Sequence, residues 1–184
     1  MFDWTLFTFV SILGAGILTS YVLVFGNINN AFSINNNNTS YNYFTSPYWV
    51  GTSTSNVYTI AVFQGLAAIG YIMWLLWLCS ETNFEMSILR FRWSRALILS
   101  LNLIGSILWP YVTYYYMLSP TLGRAILSCS TLWLSSVCVI LMIAGTFEAN
   151  APFYATAGVL MLGTVIILAD GIGWSARCIQ NSIY

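Results

Sequence analysis

Five stretches of this chain, at about residues 4 to 26, 57 to 79, 96 to 118, 123 to 147 and 153 to 174, are each apolar for longer than the roughly 18 residues that a bilayer span requires. A backbone in lipid must satisfy its own hydrogen bonds, so stretches of this kind become helices. The expected fold is an all-α integral membrane protein, a compact five-transmembrane-helix bundle, with residues 1–184 forming one membrane domain. Composition agrees: 5% of residues are charged against 59% hydrophobic, too few charges for a surface facing water all round. The first stretch differs from a cleaved leader, because Asp3 stands where a basic segment belongs and the apolar run is too long.

The connections set the expected topology. Spans three and four are separated only by the turn around Ser119 and Pro120, and spans four and five by residues 148–152, so these neighbours should be antiparallel. Residues 27–56 form a longer, uncharged connection rich in Asn, Ser and Thr. Its second half carries Tyr41, Tyr43, Phe44, Tyr48 and Trp49, which are too apolar to stand free in water and should pack on the bundle mouth or the headgroups. Asn37 and Asn38 each begin an Asn-x-Ser/Thr sequon, relevant only if this loop faces a secretory lumen. The connection from Ser80 to Ser94 carries Arg90 and Arg92, with Arg95 just beyond. Positive charge marks the cytoplasmic side, which places this connection and the N-terminus there and the Asn-rich loop and C-terminus opposite. A mitochondrial membrane and a secretory-pathway or envelope membrane both remain open.

The charged residues exclude several functions. Five arginines without a single lysine, balanced by five acids, give no clustered basic face, so no nucleic-acid partner is expected. The absence of histidine removes imidazole catalysis and histidine-ligated metal, and the absence of lysine removes a retinal-type Schiff base. Cys79, Cys129, Cys138 and Cys178 are isolated and read as small packing residues. No acid–base pair is evident, so the chain is not expected to be an enzyme and needs no cofactor or metal.

Within span three, Asn102, Ser106 and Trp109 follow at spacings of four and three and share one helix face. Such a stripe faces other helices, as hydrogen-bonding glue or as the lining of a ligand cavity. Pro110 removes one bond of the ladder and is expected to kink the span, opening a wedge. Tyr111, Tyr114, Tyr115 and Tyr116 suit an interfacial belt, whereas Trp109 lies deeper than a belt. Asp170 is the one acid well inside a span; it should face the bundle interior, either neutral or with a partner. Small residues at Gly65, Gly70, Ala155, Gly158 and Gly163 allow helix backbones to approach closely.

The order of these features resembles the translocator protein / tryptophan-rich sensory protein family, a compact five-span bundle. That family has a Pro-x-Trp element in the loop over its pocket, matched here by Pro47-Tyr48-Trp49. Its second span has a small-residue element followed seven residues later by Trp, matched by Gly70 and Trp77. Its third span reads Gln, Asn four later and Trp three after that, and Asn102, Ser106, Trp109 and Pro110 keep that spacing with two substitutions. In span five, Pro152, Asp170 and Trp174 echo the family's Pro, Asn and terminal Trp. The chain departs from the pattern at Leu66, which leaves Phe63 alone of an aromatic pair, and at Leu162, where the family has Trp.

The resemblance implies a receptor or carrier that binds a tetrapyrrole or sterol-like ligand in an aromatic cavity, with Trp49, Phe63, Asn102, Ser106, Trp109 and Asp170 around it. Its expected partners are the lipid bilayer and an apolar small molecule, with a homodimer or a larger membrane complex as further assemblies. Two alternatives stand beside it: a non-catalytic structural subunit of such a complex, or a small transporter or channel, the latter weakened by the scarcity of charge inside the spans.

Overall fold

The computed structural model describes residues 2–35, 40–49, 52–81 and 94–183. Helix α1 runs Trp4–Asn35, and two short 3-10 turns, Tyr43–Thr45 and Pro47–Trp49, follow it. Helices α2 (Thr54–Ser80), α3 (Ser94–Leu118) and α4 (Leu122–Glu148) come next. The last span joins α5 (Phe153–Gly163), a wider-wound π-helical segment (Thr164–Trp174) and α6 (Ser175–Ile183). Five helices are long and apolar enough to cross a bilayer, and the described residues contain no strand. The chain is an all-α, multi-pass membrane protein. The Asn37 and Asn38 sequons and the arginines at 90 and 92 lie outside the described residues.

Two boundaries differ from the sequence expectation. The first helix continues nine residues past 26, to Asn35. Its apolar spacing persists: Val24 and Ile28 are buried and Phe32 is packed on the same cluster, so one face still finds a core even though the other is rich in Asn. The last helix likewise passes 174 and ends at Ile183, because Ser175 and Cys178 remain buried against α4.

Helix α2 packs on α5, α3 on α4 and α1 on α3, whereas α1 barely touches α2. Each tight pair meets at a glycine. Gly70 faces Gly158 across α2 and α5, Gly105 faces Thr131 and Ser135 across α3 and α4, and Gly16 faces Ile107 across α1 and α3. The turn between α4 and α5 closes through the left-handed backbone of Asn150, at φ 49°, a conformation that Asn tolerates better than most residues. Thr121 caps α4 by accepting from the Arg124 amide at 3.4 Å. Helix α3 continues unbroken through Pro110 from Ser94 to Leu118.

The two ends of the bundle are built differently. At one end the Asp3 amide donates to the Cys79 carbonyl at 2.7 Å, tying the N-terminus to the end of α2. At the other end the loop before α2 folds inward. Tyr48 and Trp49 are buried there, Trp174 Nε1 donates to the Tyr48 carbonyl at 3.4 Å, and Arg177 Nη1 donates to Thr52 Oγ1 at 3.3 Å. The second half of the loop therefore packs on the bundle mouth, as its aromatics predicted.

Candidate ligand site inside the bundle

Trp109 lies at the centre of an aromatic cluster. Its ring centroid is 5.7 Å from Tyr21, 5.4 Å from Tyr48 and 5.4 Å from Trp174, and all three contacts are edge-on. These partners come from α1, the loop and the last span, so the cluster exists only in the folded chain. Beyond Tyr48 it continues through Phe25, at 4.3 Å, and through Tyr43, which lies 5.3 Å from Trp49.

Beside this cluster is a cavity of about 360 Å³. Tyr21, Tyr43, Tyr71 and Trp109 supply its aromatic walls, and Leu103, Leu132 and Leu162 are among its aliphatic lining. Gln64, Asn102, Ser106, Ser135 and Asp170 are its polar groups. That volume lies near the lower end of the roughly 300–1,000 Å³ usual for small-molecule pockets. Gly14 and Leu18 of α1 and Gln64 and Ala68 of α2 also line it. Leu18 is 71% exposed, so the cavity reaches the outer, lipid-facing surface at the loosely packed seam between α1 and α2.

The polar groups divide into satisfied and unsatisfied ones. Tyr43 donates to Gln64 Oε1 at 2.6 Å; burial first and the Asp170 carboxylate second push its phenol up to about 12, so Tyr43 stays a neutral donor. The Ser106 and Ser135 hydroxyls both donate to the Asn102 carbonyl, at 2.9 and 3.2 Å. In contrast, three lining residues carry a buried polar atom with no hydrogen-bond partner: Asn102 at Oδ1, Trp109 at Nε1 and Tyr71 at its hydroxyl. Other buried indoles are satisfied: Trp74 Nε1 donates to Thr146 Oγ1 at 2.7 Å and Trp49 Nε1 to the Tyr43 carbonyl at 2.6 Å. A buried polar atom without a partner costs about 1–3 kcal/mol, so the exceptions mark where a bound molecule would contribute most.

Asp170 is buried and belongs to the π-helical segment. Widening of this kind is usually confined to single turns and is frequent at functional sites. Here side chains of α4 brace it. Ser136 donates to the Ile166 carbonyl at 3.0 Å and Trp133 Nε1 to the Gly171 carbonyl at 3.1 Å. Gly171 is required opposite Ser136, since a methyl group there would collide with the serine side chain. Asp170 also lines a second, smaller cavity of about 180 Å³, shared with Trp49, Thr52, Asn56, Trp174 and Arg177. It therefore forms part of the wall between an apolar interior and a more polar vestibule below the loop.

Of the residues that the sequence nominated, Asn102, Ser106, Trp109 and Asp170 come together around the larger cavity. Trp49 lines the vestibule instead. Phe63 is not brought to either: it lies on the outer face of α2, 46% exposed, because the α2 face that packs on α5 is set by Ala67, Gly70 and Trp74. The sequence reading passed over Tyr21, Tyr43, Gln64, Tyr71 and Ser135. Gln64 carried a usable signal, as an amide within an apolar span prefers the bundle interior. The four cysteines are buried and form no disulfide among the described residues, which also hold no group of three or more metal-ligating side chains. No protein-family model matches this chain, and neither a curated protein nor a solved structure does.

Proposed function

We propose that this protein is a membrane receptor or carrier that holds an apolar ligand in the cavity between its helices, in the manner of the translocator protein / tryptophan-rich sensory protein family. The observation that carries the reading is an aromatic cavity three of whose lining residues, Asn102, Trp109 and Tyr71, each hold a buried polar atom without a partner. Flat walls and few polar groups suit a ring system with one or two hydrogen-bonding substituents.

Size refines the ligand class. An apolar cavity of about 150 Å³ accommodates benzene. At about 360 Å³ this one encloses two or three fused rings. A four-ring sterol or a tetrapyrrole would extend through the opening between α1 and α2. Entry from the bilayer by that route needs no passage through water. Binding rather than catalysis fits the lining, in which Asp170 is the one acid and no base stands opposite it.

The test is a titration of the detergent-purified protein with protoporphyrin IX, followed by tryptophan quenching, beside a Trp109→Leu variant and empty micelles. Saturable quenching that weakens in the variant is expected. Quenching no greater than that of empty micelles would remove the receptor reading and leave the role of a non-catalytic subunit in a larger membrane complex.

A further inference from the structure

We infer that the cavity selects ligands carrying a protonated amine on their ring system, with Asp170 as the counter-ion. The inference rests on the binding role proposed above and names the chemical class of ligand. Asp170 is 9% exposed, and its side chain lines the aromatic cavity. Its backbone carbonyl accepts from Ser175 Oγ at 3.3 Å, but among the described residues its carboxylate accepts no hydrogen bond. A carboxylate at this depth is costly unless it takes up a proton or meets a cation.

The chain itself is poorly supplied with cations. It contains no lysine and no histidine. Arg124 is engaged at the end of α3, donating to the Tyr115 and Ser119 carbonyls. Arg177 is directed to the loop through Thr52 Oγ1. Among the described residues Asp170 has no ion-pair partner, and no residue lining the larger cavity carries a positive charge, so a positive group on that side of the carboxylate would arrive with the ligand.

Two further features of the wall favour an ammonium group over a neutral polar one. Asn102, another residue of the same wall, holds an unpartnered acceptor at Oδ1, and an ammonium brings several donors. Tyr21, Tyr43, Tyr71 and Trp109 present aromatic rings along the wall, which attract a cation by their quadrupoles. A ligand carboxylate placed beside Asp170 would meet repulsion, so an acidic ring system such as protoporphyrin IX would keep its carboxylates at the opening, away from Asp170.

Matched three-ring probes test this: 9-aminoacridine, which is protonated at neutral pH, and anthracene, which is neutral. Both are titrated into the full-length protein in detergent, with empty micelles as background, and into Asp170→Asn and Asp170→Ser variants. Preference for the cation in the wild type, and loss of about tenfold or more of its affinity in the variants with anthracene unaffected, is expected, as a charge-assisted hydrogen bond contributes that much. Equal binding of both probes to the wild type overturns the inference and leaves the cavity as a neutral-ligand site; this arm needs no variant and stands even if Asp170 substitutions misfold. Binding of neither probe overturns the inference together with the receptor reading.

Discussion

Gly70 of α2 and Gly158 of α5 lie backbone to backbone, so close that a methyl group on either would strike the carbonyl oxygen of the other. This contact lies within one of the two closest helix pairings of the bundle, the other being α3 with α4. Because the obstacle is backbone, it cannot yield as the end of a flexible side chain can. Gly70→Ala and Gly158→Ala should each destabilise the bundle by about 1–3 kcal/mol or more, the usual cost of overpacking. Gly65→Ala serves as the control, since a methyl group there enters open space. Thermal unfolding in detergent would read this, and equal melting of all three variants would contradict the packing account.

Trp74 and Trp109 are equally buried, yet only Trp74 has a partner for its indole N–H. Replacing either with Phe removes the same part of the ring. At position 74 the change also removes a hydrogen bond, whereas at position 109 it removes an unsatisfied donor. Trp74→Phe should therefore cost about 0.5–1.5 kcal/mol more than Trp109→Phe in the ligand-free protein. Unfolding curves for the pair would show this, and the reverse order would mean that Trp109 Nε1 is satisfied in the membrane-like environment.

Gly14 lines the cavity where α1 passes α2, and apart from the backbone of its own helix turn nothing lies within 4 Å of the place a side chain would begin. A Gly14→Phe ring should fill the opening without straining the fold. Probe association is expected to slow or disappear while the melting temperature stays close to that of the wild type. Unchanged association kinetics would rule out entry at this seam.

Tyr48 is fully buried and connects the loop to Phe25, Trp109 and Trp174. Tyr48→Ala should cost about 3–5 kcal/mol, as deletion of a buried aromatic ring usually does. It should also open the aromatic cluster from the loop side, so that aqueous iodide quenches tryptophan emission more strongly than in the wild type. Tyr115→Ala, at an exposed position, should do neither.

Much of the architecture could be read from residue pattern alone, and the reasons are physical. Long apolar runs in a chain with 5% charge can satisfy their backbone in lipid only as helices, which determines five spans and the two short links between the last three. The spacing of Asn102, Ser106 and Trp109 holds on any α-helix, so their common face was determined too. The extension of α1 to Asn35 was less legible, because polar Asn residues mask an apolar stripe that only the folded loop covers.

Tertiary structure decided which faces meet. Phe63 and Trp109 are both aromatic residues within spans, but helix rotation, set by glycine contacts such as Gly70 with Gly158, turns one to the outside and the other to the centre. Tyr21 and Tyr43 join Trp109 and Asp170 from elements distant in sequence, and no local period records such a meeting. The sequence by itself determined that this chain crosses a membrane as helices and carries one acid deep in a span. Only the packing of those helices decided that the acid, an indole and an amide line one cavity, because side-chain direction around a helix is set by neighbours that local sequence does not contain.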